Sequence, residues 1–227
     1  MAKIATLFQR SAAEAVGTFF LVFIGAGSVI AAQIAGGGGA GLLIAAFGNG
    51  IALALAVTLS INISGGHINP AVSLVMAALR KISPRDALVY IIAQLVGGII
   101  GGLSLVLLYP SAAAGIVSYG APVLAQGVGA LTGIGVEAVL TFILVFTILC
   151  ILVDRRGPKI TGFAPGLAVF IDVLAGGALT GAAMNPARAM GPMIATGFFS
   201  NWYVYWIGPI VGAIVAALIY KYAIAER

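Results

Sequence analysis

Long apolar runs separated by short polar segments dominate the sequence. Six runs reach the length of about 20 residues that an α-helix needs to cross a bilayer, and they cover residues 12–32, 42–62, 86–108, 130–153, 162–179 and 202–222. Two further apolar stretches, 69–79 and 186–196, are about half as long, and each follows a glycine-containing turn. The pattern therefore predicts an all-α membrane protein with six transmembrane helices and two re-entrant half-helices.

The composition agrees with a chain that lies in lipid throughout. Of the 227 residues, 62% are apolar and 7% are charged, whereas soluble domains carry about 25% charged residues. So few charges cannot cover the surface of a soluble fold, and the net charge of +5 therefore does not indicate nucleic-acid binding. The 32 glycines favour close contacts between helices in lipid. We expect the lipid bilayer to surround the chain.

Basic residues are distributed unequally between the two sides of the predicted bundle. Ten of the eleven fall at the termini or in loops on one side: Lys3, Arg10, Arg80, Lys81, Arg85, Arg155, Arg156, Lys159, Lys221 and Arg227. The loops on the other side, about residues 33–41 and 109–129, carry no charge. Because cytoplasmic loops are enriched in Lys and Arg, the pattern predicts a multi-pass protein of the cell membrane with both termini in the cytoplasm. Arg188 is the exception, which indicates a functional role.

The chain contains an internal duplication. Residues 14–23 and 137–146 are identical at eight of ten positions. Two more pairs of segments correspond in the same order, 63–71 with 179–187 and 90–101 with 205–216. We therefore divide the one integral membrane domain into a first repeat, residues 1–115, and a second repeat, residues 116–227. Each repeat has three spans, an odd number, so the second is predicted to lie inverted relative to the first.

Each repeat carries an Asn-Pro-Ala motif at the start of its half-helix. The motifs are Asn69-Pro70-Ala71 and Asn185-Pro186-Ala187. Asn is a favoured N-cap, and Pro is favoured at the first helical position because its missing N–H would have no partner there. Both motifs therefore predict helix starts. Half-helices that enter from opposite faces would meet N-terminus to N-terminus near the middle of the bilayer.

The whole chain resembles the aquaporins, members of the major intrinsic protein family. The resemblance rests on the paired motifs, on their contexts SGGHINPA (64–71) and NPAR (185–188), and on the duplicated helix that carries Glu14 and Glu137. It implies a right-handed helix bundle with a pore through each subunit of a homotetramer. The implied function is a passive channel for water, with glycerol and other small neutral solutes as further candidates, that excludes protons and ions. It implies no enzyme activity, no metal and no cofactor.

The two motifs give this selectivity a physical basis. Each helix N-terminus carries about half a positive charge, so two facing termini would repel cations, protons included. The side-chain amides of Asn69 and Asn185 can each donate a hydrogen bond to one water oxygen, which would interrupt a chain of hydrogen-bonded waters. The loops before the motifs would offer backbone carbonyls to the solute, and the predicted contributors are Gly65, Gly66, His67, Ile68, Gly181 and Ala183.

A constriction is expected on the uncharged side of the motifs. The resemblance, with positions counted from the two motifs, assigns it to Asn49, Val173, Ala182 and Arg188. Val173 stands where water-restricted members typically carry His, which removes a donor and widens the opening. The residue at the first position is undecided, because the Phe-Gly pair that is usual there would fall at 49–50 but lies two residues earlier, at Phe47-Gly48. A shift of two residues turns a helix by about 200°, so Phe47 and Asn49 cannot both face the pore, and Asn49 is favoured.

Besides Asp86 at the edge of the third span, three acidic residues lie within predicted spans. Glu14 and Glu137 occupy equivalent positions, and the resemblance implies that they accept hydrogen bonds from the re-entrant loops. Asp172 has no such precedent: it could bond a neighbouring helix, contact the pore rim or serve as a proton relay. The last option leaves a proton-coupled secondary transporter as the alternative function. The sequence offers no nucleophile–base set, phosphate loop or metal cluster, and therefore gives no support to an enzyme.

Overall fold

A computed structural model describes residues 5–225, so Lys3 and Arg227 of the basic side lie outside the described part. The helices in chain order are α1 (Leu7–Ile34), α2 (Gly38–Ser64), α3 (Pro70–Ala78), α4 (Pro84–Leu108), α5 (Ser111–Ala114), α6 (Ala130–Ile148), α7 (Phe163–Thr180), α8 (Pro186–Thr196) and α9 (Val204–Ile219). A 3₁₀ segment, Gly115–Gly120, follows α5. Wider π-helical turns, Leu149–Val153 and Tyr220–Ile224, extend α6 and α9.

Side-chain caps set the starts of several helices. Thr6 and Gln9 form a reciprocal capping box at α1, which satisfies two backbone donors of the first turn. The Ser83 side chain accepts from the N–H of Asp86 at α4, and Pro84 takes the first helical position. The capping box lies in the polar segment before the apolar run, so α1 begins five residues earlier than the span predicted from hydrophobicity alone.

Six helices are long and apolar enough to cross a membrane: Leu7–Ile34, Gly38–Ser64, Pro84–Leu108, Ala130–Val153, Phe163–Thr180 and Val204–Ile224. Their outward faces carry exposed large apolar side chains along much of their length, such as Leu55, Val139 and Val211. Exposed apolar surface on this scale is stable only where lipid or another apolar surface covers it. The predicted all-α membrane fold with six spans and two half-helices is confirmed.

The packing of the helices follows the duplication. In the first repeat α1 packs on α2 and α4, and in the second α6 packs on α7 and α9. Each half-helix packs on the last helix of the other repeat as well: α3 contacts α9, and α8 contacts α4. The helices α2 and α7 pack on each other across the two repeats. This arrangement brings the first residues of α3 and α8 together in the interior.

Glycines permit the closest of these contacts. A Cβ on Gly97 of α4 would collide with the backbone carbonyl of Ala15 in α1, and a Cβ on Gly212 of α9 would collide with that of Ala138 in α6. The two pairs occupy equivalent positions in the repeats. Small residues at helix contacts are the rule in lipid, where close van der Waals packing drives association.

Replacement of Gly97 by alanine is therefore expected to lower the free energy of unfolding by about 1–3 kcal/mol, since the added methyl group must push two backbones apart. Gly135, on α6, faces open space: a Cβ added there would meet no neighbouring atom within 4 Å. Gly135→Ala is therefore the matched control. Thermal unfolding in detergent measures both variants. A Gly97→Ala protein as stable as the control would contradict the close contact between α1 and α4.

Candidate functional site

The two motif asparagines cap their own half-helices and bond the opposite loop. Asn69 Oδ1 accepts from the N–H of Ala71 (2.9 Å), and its Nδ2 donates to the carbonyl of Met184 (2.9 Å). Asn185 Oδ1 accepts from the N–H groups of Ala187 (3.0 Å) and Arg188 (3.2 Å). Its Nδ2 donates to the carbonyl of Ile68 (2.8 Å). Each repeat thus donates one hydrogen bond to the loop of the other.

This bonding fixes the orientation of both amides. An amide group has two N–H donors, and the opposite carbonyl takes one of them at each asparagine. Both asparagines are buried and line a central cavity. One N–H of Asn69 and one of Asn185 therefore remain for a molecule in that cavity.

The loops before the half-helices hold an uncommon backbone conformation. Residues with positive φ include Gly65, Gly66 and Ile68 in the first loop, and Gly181, Ala182 and Met184 in the second. Glycine adopts this conformation without strain, whereas a residue with a Cβ loses about 1–2 kcal/mol there. Such backbone persists only where its surroundings hold it in place.

Glu14 holds the first loop. Its carboxylate accepts hydrogen bonds from the backbone N–H groups of His67 (2.9 Å) and Ile68 (2.6 Å) and from the Ser64 hydroxyl (2.6 Å). A fourth bond comes from Nε2 of Gln94 (2.8 Å). These donors are buried and have few other partners, so the carboxylate stabilises the loop by accepting bonds that would otherwise be lost.

Glu137 does the same for the second loop. It accepts from the N–H groups of Ala183 (2.9 Å) and Met184 (2.7 Å) and from the Thr180 hydroxyl (2.7 Å). The bonds repeat those of Glu14 position by position. The two loops are therefore held by equivalent contacts on opposite sides of the cavity.

Sequence reasoning missed three supporting positions. Tyr90 and Tyr205 donate their hydroxyls to the carbonyls of Ser64 and Thr180, each at 2.9 Å. Tyr90 and Tyr205 occupy equivalent positions in the two repeats, and so do Ser64 and Thr180. Comparison of the repeats could therefore have identified both contacts. The same comparison could not have identified Gln94, because Pro209 occupies its position in the second repeat. Its Nε2 also donates to Ser73 Oγ (3.0 Å), which lies 3.0 Å from His67 Nδ1.

Three cavities lie in a row through the bundle. The central cavity is narrow, and the volume open to the centre of a water molecule is about 20 Å³. A first vestibule of about 380 Å³ opens toward the basic loops, with Lys81 in its wall, and shares His67 and Val72 with the central cavity. A second vestibule of about 470 Å³ opens toward the uncharged loops and shares Asn49 and Arg188 with it. Neighbouring cavities share wall residues, so the three lie next to one another along one possible pathway between the two faces of the bundle.

The residues predicted to offer carbonyls are distributed along this pathway. His67 and Ala183 line the central cavity, together with Ala182 of the predicted constriction. Gly65 and Gly66 line the first vestibule and Gly181 the second. The side chain of Ile68 is buried, and its carbonyl already accepts from Asn185.

Arg188 lies where the central cavity meets the second vestibule. Its side chain is 3% exposed, and Nη1 donates to the carbonyl of Gly120 at 3.1 Å. Its Nε has no hydrogen-bond partner among residues 5–225. The guanidinium thus puts a positive charge into the wall of the pathway, held from one side by the loop after α5.

The structure distinguishes Asn49 from Phe47. Asn49 is 3% exposed and lines the pathway, whereas Phe47 is 60% exposed on the outside of the bundle, edge-on to Phe170. Both amide donors of Asn49 are engaged, with the carbonyls of Gly25 (3.0 Å) and Ala45 (2.9 Å). Asn49 therefore has no amide hydrogen left for the pathway. Val173 lines the second vestibule.

Asp172 lies in α7 away from the pathway. It is buried, its Oδ2 has no hydrogen-bond partner in the described part of the chain, and it is not among the residues that line the three cavities. The neighbouring Val169 and Val173 on α7 do line them. We find no role for Asp172 in the pathway.

Comparisons with known proteins agree with this geometry. The sequence profile of the Major intrinsic protein family matches residues 1–220. Aquaporin TIP4-4 from Zea mays is 42% identical over 217 residues, which cover 92% of this chain and 83% of that protein. Probable aquaporin TIP3-2 from Arabidopsis thaliana is 40% identical over 228 residues, with 95% and 84% covered.

Among solved structures, the aquaglyceroporin from Plasmodium falciparum superposes on this chain with a TM-score of 0.88 at 25% sequence identity. The match covers 96% of this chain and 97% of the other. The similarity thus extends over all six spans and both half-helices. The chain belongs to the major intrinsic protein family of passive membrane channels for water and small solutes.

Proposed function

We propose that water crosses this channel in single file and that Asn69, Asn185 and Arg188 select it. The observation that carries the proposal is the meeting of two helix N-termini at a pair of asparagines, each with one N–H left for the central cavity. The shared walls of the three cavities support a continuous route past them.

Proton exclusion follows from these donors. A water molecule that accepts from both asparagines has no lone pair left for its neighbours, so both of its hydrogens point away along the pathway and a proton cannot be relayed through it. The two helix N-termini add about one positive charge in total, and Arg188 adds another at the second vestibule. In a cavity with little water these charges repel cations strongly.

Water is proposed as the preferred solute, with glycerol as a slower one. The volume open to water centres in the central cavity, about 20 Å³, matches one or two water molecules, since a single water needs about 10–15 Å³ by this measure. Of the proposed constriction residues Asn49, Val173, Ala182 and Arg188, only Arg188 is charged, and its positive charge favours small neutral solutes over cations.

The purified protein in liposomes tests the proposal. Stopped-flow light scattering is expected to show water flux far above that of protein-free liposomes, a smaller glycerol flux and no proton flux under an imposed pH gradient. Water flux at the lipid background would refute single-file water conduction. Glycerol flux above water flux would reverse the proposed order of solutes.

The alternative of a proton-coupled transporter receives no support from the family or from the relatives, which are channels. Asp172, the residue that suggested it, lies away from the pathway lining. Coupled uptake would also require solute to accumulate under a proton gradient. The same liposome assay detects such accumulation.

For orientation and assembly, we propose that the basic loops face the cytoplasm of the cell, with both termini on that side, and that four copies form a homotetramer. The distribution of Lys and Arg supports the orientation, and the exposed apolar faces of the spans leave surface for neighbouring subunits. Labelling of single cysteines in intact cells tests the first proposal, and native mass spectrometry tests the second.

A further inference from the structure

A second cavity system lies on the basic face, beside the channel entrance. A pocket of about 760 Å³, here called the cation pocket, is formed where the end of α3, the π-helical turn after α6 and the π-helical turn after α9 come together. Its charged and polar wall consists of Arg80, Lys81, Asp154, Arg155, Tyr220 and Lys221. Its volume lies within the range of small-molecule sites.

The positive charge of the cation pocket is not balanced by its wall. Asp154 is its one carboxylate among the described residues, and that carboxylate accepts from Arg156 at 2.7–2.9 Å and from the Tyr220 hydroxyl at 3.2 Å. The hydrogen bonds from Arg156 hold the pKa of Asp154 below its usual value. Asp154 is therefore ionised at neutral pH, and its charge is compensated by Arg156 rather than by the cations of the pocket.

The four cations converge without salt bridges. Within residues 5–225, the salt bridges join Arg10 with Asp86 and Arg156 with Asp154, so Arg80, Lys81, Arg155 and Lys221 form none. Four like charges around one depression repel each other, and an anion bound among them would relieve this repulsion. The arrangement favours a ligand with more than one negative charge.

Arg80 stands at a position where glycine is usual. The N–H groups of Arg80 and Lys81 bond the carbonyls of Ala77 (2.9 Å) and Met76 (2.8 Å), which is a Schellman ending of α3. Its left-handed residue is Arg80, with φ of 59°, although a side chain costs about 1–2 kcal/mol in that conformation. The ending directs two successive cations, Arg80 and Lys81, to the pocket wall.

We propose that the cation pocket binds a ligand with clustered phosphate groups, such as the headgroup of an inositol phospholipid or a soluble inositol phosphate. A phosphate monoester carries a charge of about −1.5 to −2 at pH 7, so two of them match four cations. Basic pockets between membrane helices at this level are suited to such headgroups. The pocket lies beside the proposed water route and shares part of its wall with the first vestibule.

Its position links the ligand to the channel. Lys81 and Val153 line both the cation pocket and the first vestibule. A bound phosphate that draws the ammonium of Lys81 toward itself would take that group from the vestibule wall. The proposed site therefore lies where a ligand can alter the entrance to the pathway.

Two double variants with the same change in net charge test the proposal. Lys81→Gln with Lys221→Gln removes two cations of the pocket. Arg85→Gln with Lys159→Gln removes two exposed cations of the same face that do not line it. Binding is measured by native mass spectrometry and by fluorescence titration of the full-length protein in detergent, with a short-chain phosphatidylinositol bisphosphate and, separately, with inositol trisphosphate.

The pocket variant is expected to bind the lipid about thirtyfold more weakly than the parent, from about 1 kcal/mol for each cation near the headgroup. The control variant is expected to bind within about twofold of the parent. Binding of both compounds supports a site for the phosphates alone, and binding of the lipid only supports a membrane ligand. Equal weakening in both variants, or no binding of either compound, would overturn the proposal.

Discussion

The Asn185→Asp variant is expected to conduct cations, which we propose that the parent channel excludes. The new carboxylate can still cap α8 through Oδ1, but it places a negative charge where two helix N-termini supply about one positive charge in total. A unit charge at 4 Å changes the energy of a passing cation by about 4 kcal/mol at an effective dielectric constant of 20. Each 1.36 kcal/mol is tenfold in rate, so sodium permeability should rise about a thousandfold in a liposome assay.

The control for this variant is Asn185→Ser. The serine hydroxyl can also accept a hydrogen bond at the helix N-terminus, and it carries no charge. Serine has no amide group, so the variant loses the donors that Asn185 offers to the Ile68 carbonyl and to the cavity. Water flux is expected to fall by about tenfold, the value of one lost hydrogen bond, without sodium leakage. An aspartate variant as impermeable to sodium as the serine variant would contradict the electrostatic account of exclusion.

The Glu137→Leu variant is expected to lose the folded structure. Leucine leaves the N–H groups of Ala183 and Met184 and the Thr180 hydroxyl without their acceptor. Each unsatisfied buried group costs about 1–3 kcal/mol, and three together approach the whole stability of a typical domain, about 5–15 kcal/mol. Fluorescence-detected size exclusion and thermal unfolding in detergent measure the loss.

The Glu137→Gln variant separates hydrogen bonding from packing. Glutamine keeps the size of the side chain and one acceptor oxygen, so part of the loop remains bonded. We expect a folded protein with an unfolding temperature below that of the parent. A leucine variant that unfolds at the temperature of the parent would show that the second loop does not depend on this carboxylate.

Much of this architecture was predictable because each decisive residue acts through its immediate neighbours in the chain. Asn69 and Asn185 start their half-helices through a cap and a following proline, which depend on local geometry alone. The spans follow from the length of apolar runs in the same way. The duplication then supplied the inverted arrangement, since an odd number of spans fixes the relative orientation of the repeats.

The features that could not be predicted depend on the orientation of each helix about its axis and on the residues that it contacts. The outward position of Phe47 and the inward position of Asn49 are set by the packing of α2 against α1 and α7. One of the two amide donors of Asn49 binds the carbonyl of Gly25, which lies 24 residues away in the chain. The contact of Gln94 with the first loop could not be predicted, because its counterpart in the second repeat is Pro209 and comparison of the repeats therefore indicates no polar contact.

The reciprocal bonds of the motif asparagines also constrain the order in which the protein forms. The partners of these bonds are 115 and 117 residues apart in the chain. When the ribosome has delivered only the first repeat, Asn69 has no Met184 carbonyl to bond and the first loop has no opposing surface. Membrane insertion can therefore run ahead of the assembly of the channel centre, which must wait for residues near the end of synthesis. A nascent chain halted before Met184 should remain non-conducting.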